Sequence, residues 1–243
     1  MIQNRDIIID ELNKYMDKSD IKLDKGQLNQ FATFYEILIE KNKVMNLTAI
    51  VEPEEVVKKH FVDSLSILDI GYVKEVNNII DIGTGAGFPG LPLAIVLPDI
   101  KFTLIDSLQK RINFIEEVCK ACNIKNVEAF HGRAEDFGHD DSFREMYDLC
   151  VSRAVANLST LSEYCIPFIK VGGKFISYKS GSIEEEIENS KNAMDKLGAK
   201  IEDEIHFVLP LSDIERSFVV INKIATTKNT YPRSAGKPSK KPL

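Results

Sequence analysis

The stretch DIGTGAGFPG, residues 81–90, decides how the rest of the chain is read. Three glycines alternate, at Gly83, Gly85 and Gly87, between the short apolar run NNIIDIG and the apolar segment LPLAI. A loop so free of side chains, placed between a strand and a helix, lets a ligand lie against bare backbone while the first N–H groups of the helix face it. A dinucleotide fingerprint requires G-x-G-x-x-G. Counting from Gly83, its third glycine would fall on Phe88, so this loop has a different pattern, D-x-G-x-G-x-G.

Outward from the loop, the form of NNIIDIG repeats. KFTLID (101–106), VEAFHG (127–132), MYDLCVS (146–152) and GGKFISYK (172–179) are short apolar runs, most of them separated by segments of helical pattern. Strands alternating with helices predict an α/β fold, a parallel sheet covered on both faces. After the predicted helix SIEEEIENSKNAMDKLGA, the segments IEDEIHFVLP and RSFVVINKI read as an antiparallel hairpin that finishes the sheet. Before the loop, Leu28, Phe31, Phe34, Tyr35, Leu38 and Ile39 recur at helical spacing, and Pro53 opens a second helical stretch through Phe61 and Leu68. The chain thus divides into a helical cap (1–70), a sheet domain (71–225) and a Pro/Lys-rich tail (226–243) without a core of its own.

The 243 residues suffice for one sizeable domain with an appendage, and 44% hydrophobic content argues against general disorder. No run approaches the ~18 apolar residues of a membrane span, and the charged N-terminus lacks a signal-peptide pattern. Cys119, Cys122, Cys150 and Cys165 are accordingly read as reduced thiols of a cytoplasmic protein. The C-x-x-C at Cys119 and Cys122 has no second pair and is read as helix packing, with no metal site expected. Net charge is −6, yet the last 22 residues hold six basic side chains and no acid. A basic tail on an acidic body can contact a polyanion, or it can be solvated and idle.

The strand ends supply the candidate site. Asp81 closes the first strand, and Asp106, 25 residues on, closes the second, where an acid can accept both hydroxyls of a ribose or instead cap the next helix. HGRAEDF, residues 131–137, follows the third strand and offers a backbone N–H and an acid to an adenine edge. Arg153 follows the fourth strand, poised either to hold an anion or guanine, or to form a salt bridge. His60, in KKHFVDS, is open to stacking on a base or to plain packing, and Lys58 and Lys59 to phosphate contact or solvation.

The glycine run resembles the first motif of S-adenosylmethionine-dependent methyltransferases. Together, DIGTGAGFPGLPLAI, LIDSLQKR, GRAEDF, DLCVSRAVA and NLTAI resemble the glucose-inhibited division protein B family, the bacterial guanine-N7 methyltransferases of small-subunit (16S) ribosomal RNA, over roughly residues 20–225. The resemblance implies a Rossmann-like methyltransferase fold with a seven-stranded, mostly parallel sheet and an N-terminal helical cap. It implies S-adenosylmethionine as methyl donor and a guanine in the decoding region of 16S rRNA, or of the small ribosomal subunit, as target. Carried over residue by residue, it implies cofactor contacts at Gly83, Phe88, Ala134, Glu135 and Arg153. To these the strand-end reading adds Asp81 and Asp106, and the loop reading Gly85 and Gly87. Arg153 is the expected catalytic residue, and the protein is expected to act as a monomer. Rival readings are a methyltransferase of a small molecule or protein, a nicotinamide-dependent oxidoreductase, and a non-catalytic binding module on the same fold.

Overall fold

The computed structural model describes residues 2–153, 156–181 and 183–243, so Ala154 and Val155 of the SRAVA motif lie outside the described residues. Helices α1 (Ile2–Met16) and α2 (Lys25–Met45) come first. Asp24 and Gln27 start α2 with a capping box, each side chain accepting from the other's backbone N–H at 2.8 and 2.9 Å. Asn46, left-handed at φ 50°, ends it and turns the chain into NLTAI. Pro53 then opens a continuous helical stretch: α3 (Pro53–Val56), a π-helical run Val57–Val62, α4 (Asp63–Leu65) and a tight 3-10 turn Ser66–Ile70. A π run inside a helix is rare and concentrates at functional sites; this one carries Lys58, Lys59 and His60.

Seven strands form one sheet in the order β3 (Val127–His131), β2 (Lys101–Asp106), β1 (Asn78–Ile82), β4 (Tyr147–Arg153), β5 (Ile169–Lys179), β7 (Glu215–Lys223), β6 (Ala199–Val208). The first five are mutually parallel, and β7 runs antiparallel to both β5 and β6, as the hairpin reading expected. Side chains alternate between two cores. Ile79, Leu149, Val151, Ile176 and Val220 face one side, where α1, α2, α5 (Gly90–Val96) and α6 (Gln109–Ala121) pack. Ile80, Cys150, Phe175, Val219 and Ile221 face the other, under α8 (Leu158–Cys165) and α9 (Glu184–Leu197). Helices of the first 70 residues therefore share their core with the sheet. Cys122, Cys150 and Cys165 are buried and Cys119 half-buried; burial pushes the Cys119 and Cys122 thiols up to about 12.

The tail is docked on the body. Arg144 gathers the carbonyls of Gly138, Thr227 and Tyr231, and Arg233 grips the fully buried Glu163 through its backbone N–H and its guanidinium, at 2.6 to 3.1 Å. A one-turn helix α10 (Lys237–Lys240) sits beyond, against α8. No helix among the described residues is long and apolar enough to cross a membrane.

Candidate active site

Strand order reverses at β1, whose neighbours β2 and β4 are reached by connections on opposite sides. In open α/β sheets the crevice outside the strand ends at such a reversal is where ligands bind. A cavity of about 530 Å³ opens there, within the usual range of small-molecule sites, ~300–1,000 Å³. The C-terminal ends of β1, β2, β3 and β4 all reach it, through Gly83, Asp106, Gly132 and Arg153.

The glycine loop is tied to the end of β2. Ile105 O accepts from Gly83 N and Thr84 N at 2.9 and 3.1 Å, and Asp106 Oδ2 accepts from Gly85 N at 2.9 Å. Gly83, Gly85 and Phe88 line the cavity. Gly85 is left-handed, at φ 63°, and a Cβ there would meet nothing closer than 4.0 Å, so the space beside it is open to a ligand. Asp81 and Gly87, expected as cofactor contacts, do not line it. Asp81 is buried beneath the loop, where Oδ2 accepts from Thr84 Oγ1 at 2.7 Å and Gly90 N at 2.9 Å. Burial pushes its carboxyl up to about 7, and its Oδ1 has no hydrogen-bond partner among the described residues. Gly87 faces the following helix instead: a Cβ on it would fall 2.4 Å from Leu91 Cδ1. Both residues shape the loop from behind.

Asp106 lines the cavity, but its carboxylate is already engaged. Oδ1 accepts from Leu108 N at 2.9 Å, the helix-entry role weighed for it, and Arg111 Nη1 reaches Oδ2 at 3.1 Å. With the Gly85 bond that makes three donors on roughly four acceptor sites. Ala134 and Glu135 open the one-turn helix α7 (Ala134–Phe137), and both line the cavity. The Glu135 side chain turns away from solvent and accepts from Gly236 N at 2.9 Å, a bond to the docked tail.

Arg153 lines the cavity and forms the salt bridge that was one of the roles weighed for it. Its Nη1 donates to Asp63 Oδ2 at 2.9 Å, while Arg216 Nε donates to Asp63 Oδ1 at 2.9 Å. The buried Asp63 thus bridges two arginines from β4 and β7. Arg153 Nη2 lies 3.4 Å from His60 Nδ1, and its guanidinium sits 5.2 Å from the Phe88 ring centre. His60 stacks on Phe88 at 4.5 Å and 17°, and its Nε2 meets Thr48 Oγ1 at 2.8 Å. Phe34 stacks on Phe88 too, at 5.3 Å. Burial first, then Arg153, lowers the His60 pKa to about 4, so its ring is neutral near pH 7. Packing and cavity lining therefore coincide at His60.

Sequence reading missed Asp63, Arg216, Thr48 and Phe34 as partners. Asp63 stands 90 residues from Arg153 and 153 from Arg216, separations that no motif spans. Thr48 belongs to NLTAI and His60 to KKHFVDS, motifs singled out without a role for these atoms. Among the basic groups, Lys58 and Lys59 both pair with Glu55, holding that carboxyl down at about 2. At the end of β7, Lys223 is buried against Glu145; in the tail, Arg233 is paired with the buried Glu163, while Lys228, Lys237, Lys240 and Lys241 are exposed.

Comparison with known proteins then bears on this cavity. A family profile described as "GidB: rRNA small subunit methyltransferase G" matches residues 27–211. Ribosomal RNA small subunit methyltransferase G of Lachnoclostridium phytofermentans is 50% identical over 221 residues, 91% of each chain. The protein of that name from Alkaliphilus metalliredigens is 51% identical, over 91% of this chain and 92% of its own. Among solved structures, an S-adenosylmethionine-dependent O-methyltransferase from Thermotoga maritima superposes with a TM-score of 0.51 at 17% identity, covering 79% of this chain and 72% of its own. TYW2 of M. jannaschii, in complex with AdoMet, gives 0.51 at 16% identity over 67% and 77%. These two share the fold.

Proposed function

The chain belongs to the rRNA small subunit methyltransferase G family, and we propose that it transfers a methyl group from S-adenosylmethionine to N7 of a guanine in the decoding region of 16S rRNA. The observation that carries this reading is the convergence of three loop ends, 83–88, 106–111 and 132–135, with Arg153 on one cavity at the strand-order reversal. The residues fit the cofactor. Gly85 leaves open space along the backbone, Asp106 keeps acceptor capacity for a ribose hydroxyl, and among the described residues no backbone bond occupies the N–H groups of Ala134 and Glu135, which would serve an adenine edge. Gly83, Gly85, Phe88, Asp106, Ala134, Glu135 and Arg153 would hold the cofactor; Asp81 and Gly87 would hold the loop.

When bound, S-adenosylmethionine supplies an electrophilic methyl group on a positively charged sulfur. Guanine N7 carries a lone pair and no proton, so no side chain is needed as a general base. What the chain must supply is position, which can account for roughly 7–11 kcal/mol of a barrier. Arg153, braced by Asp63, stands where cofactor and base would meet and would orient the guanine or the cofactor carboxylate. The neutral His60–Phe88 stack offers a flat wall to a base. A neutral wall is apt because the purine gains positive charge as N7 is methylated. An unstacked guanine is the form that fits, since paired A-form RNA hides the edge carrying N7. Exposed Lys228, Lys237, Lys240 and Lys241 would meet phosphates. The protein would work as a single chain in the cytoplasm.

The test is calorimetry with S-adenosylhomocysteine and with NAD, followed by methyl transfer to small subunits. Binding of the former alone, with label entering RNA, is the expected result. Label entering protein, or NAD binding, would overturn the reading.

A further inference from the structure

We propose that the docked C-terminal segment backs the wall of the cofactor site, with Arg233 as a positioning residue that acts through Glu163, Gly236 and Glu135. The inference rests on the reading of the cavity as the cofactor site.

Helix α7 is a single turn, and Arg133, at its N-terminus, provides no side-chain cap. Alone, such a turn is marginal. The tail holds it instead. Gly236 N donates to Glu135 Oε1 at 2.9 Å, His139 Nε2 meets Pro232 O at 2.7 Å, and Arg144 ties Gly138 O to Tyr231 O and Thr227 O. On the next helix, Thr160 Oγ1 donates to Pro238 O at 3.2 Å and Ser159 Oγ to Leu243 O at 2.9 Å. Tyr164, from the same helix, lines the cavity; burial, then Glu135, raises its phenol pKa, and it faces Ser239 of the tail.

Arg233 is the clamp of this arrangement. Its guanidinium spans both oxygens of Glu163, a carboxylate with no exposed surface, and its Nη2 also donates to Lys241 O at 2.9 Å. A bidentate, charge-assisted contact fixes direction as well as distance. Three residues on, Gly236 adopts φ 78°, a left-handed turn that points its N–H at Glu135. The tail thereby takes the Glu135 carboxylate, and among the described residues no backbone group takes the N–H groups of Ala134 and Glu135, two residues that line the cavity. Loosening the tail should release the loop that meets the adenine end, and leave the Arg153 end of the cavity as it is.

The experiment measures S-adenosylhomocysteine affinity by calorimetry, and KM for S-adenosylmethionine and kcat on small subunits, in full-length Arg233→Ala, Arg233→Lys and Gly236→Ala. Melting curves verify folding at the assay temperature. Removing a charge-assisted anchor should weaken binding about tenfold in Arg233→Ala. KM for the methyl donor should rise in step, with kcat at saturation unchanged. Arg233→Lys should recover part of the loss. Gly236→Ala is the gentler variant, since a Cβ there meets nothing within 4 Å and only the backbone turn is opposed. It decides the matter should Arg233→Ala fail to fold, with an expected loss of severalfold. Folded variants that bind as tightly as the wild type would overturn the inference and leave the cofactor reading standing. A wild-type chain that does not bind S-adenosylhomocysteine would overturn the cofactor reading, and this inference with it.

Discussion

Gly85→Asp and Gly87→Ala separate the two faces of the glycine loop. Gly85 is at φ 63° with open space beside it, and its N–H donates to Asp106 Oδ2 at 2.9 Å. Aspartate tolerates left-handed backbone better than most residues, so the strain is small, about 1 kcal/mol. For a chain of this length that lowers Tm by about 2–4 °C. The new carboxylate, however, stands in the ligand's path and near that of Asp106. Cofactor affinity should fall by more than a hundredfold, since a bound ligand would bury that carboxylate without a counter-charge, at a cost of several kcal/mol. Gly87→Ala is the opposite case. Its methyl would fall 2.4 Å from Leu91 Cδ1, away from the cavity, at φ 87°. Left-handed strain and overpacking together cost about 2–5 kcal/mol, lowering Tm by at least about 4 °C. The folded fraction should still bind. Calorimetry with S-adenosylhomocysteine and thermal melts on both variants provide the assay. If Gly85→Asp bound the cofactor like the wild type, the placement of the loop against the ligand would be wrong.

Arg153→Ala should lower kcat/KM on small subunits by about a hundredfold. It should also lower Tm by about 4–8 °C, because Asp63 keeps Arg216 and only about 2 kcal/mol is lost; a Tm drop with unchanged kinetics would leave only the salt-bridge role. His60 has a folded pKa of about 4, below the ordinary 6.5. The unfolded chain therefore takes up this proton first, and the stability His60 contributes is full above pH 6.5 and lost as pH falls toward 4. Asp81, raised to about 7, has the opposite slope, so denaturant titrations of wild type against His60→Gln isolate the histidine, and identical pH slopes would refute its buried, neutral state. Lys237→Gln with Lys240→Gln should weaken RNA binding and reduce its salt slope by about 1–2 while leaving S-adenosylhomocysteine affinity unchanged; an unchanged slope would remove the tail from the RNA contact.

The fold was legible because its signals are local. Alternating apolar runs ending at Asp81, Asp106 and His131 announce parallel strands, and the glycine run announces the turn after the first. The same locality misled at the loop itself. Asp81 and Gly87 share the motif with Gly83 and Gly85, but the strand pleat and the tight turn send their atoms inward, to Thr84, Gly90 and Leu91. Spacing alone cannot tell a residue that lines the cavity from one that holds the lining residue in place. The Arg153–Asp63–Arg216 bridge was illegible for a different reason, since it joins three elements that only the folded sheet brings together. The tail showed its charge in the sequence but not its docking. Arg233 looks like a free cation until the buried Glu163 is found against it, as does Lys223 at the end of β7 until it is found buried against Glu145.

The most direct test of the central claim uses tritiated S-adenosylmethionine, the purified protein, and small ribosomal subunits from cells lacking its gene. The RNA is then digested and the labelled nucleoside identified. The account predicts a single product, 7-methylguanosine from the small-subunit RNA. Label in another nucleoside would contradict the assignment of the reacting atom, and no label, with S-adenosylhomocysteine still bound, would contradict the assignment of the substrate.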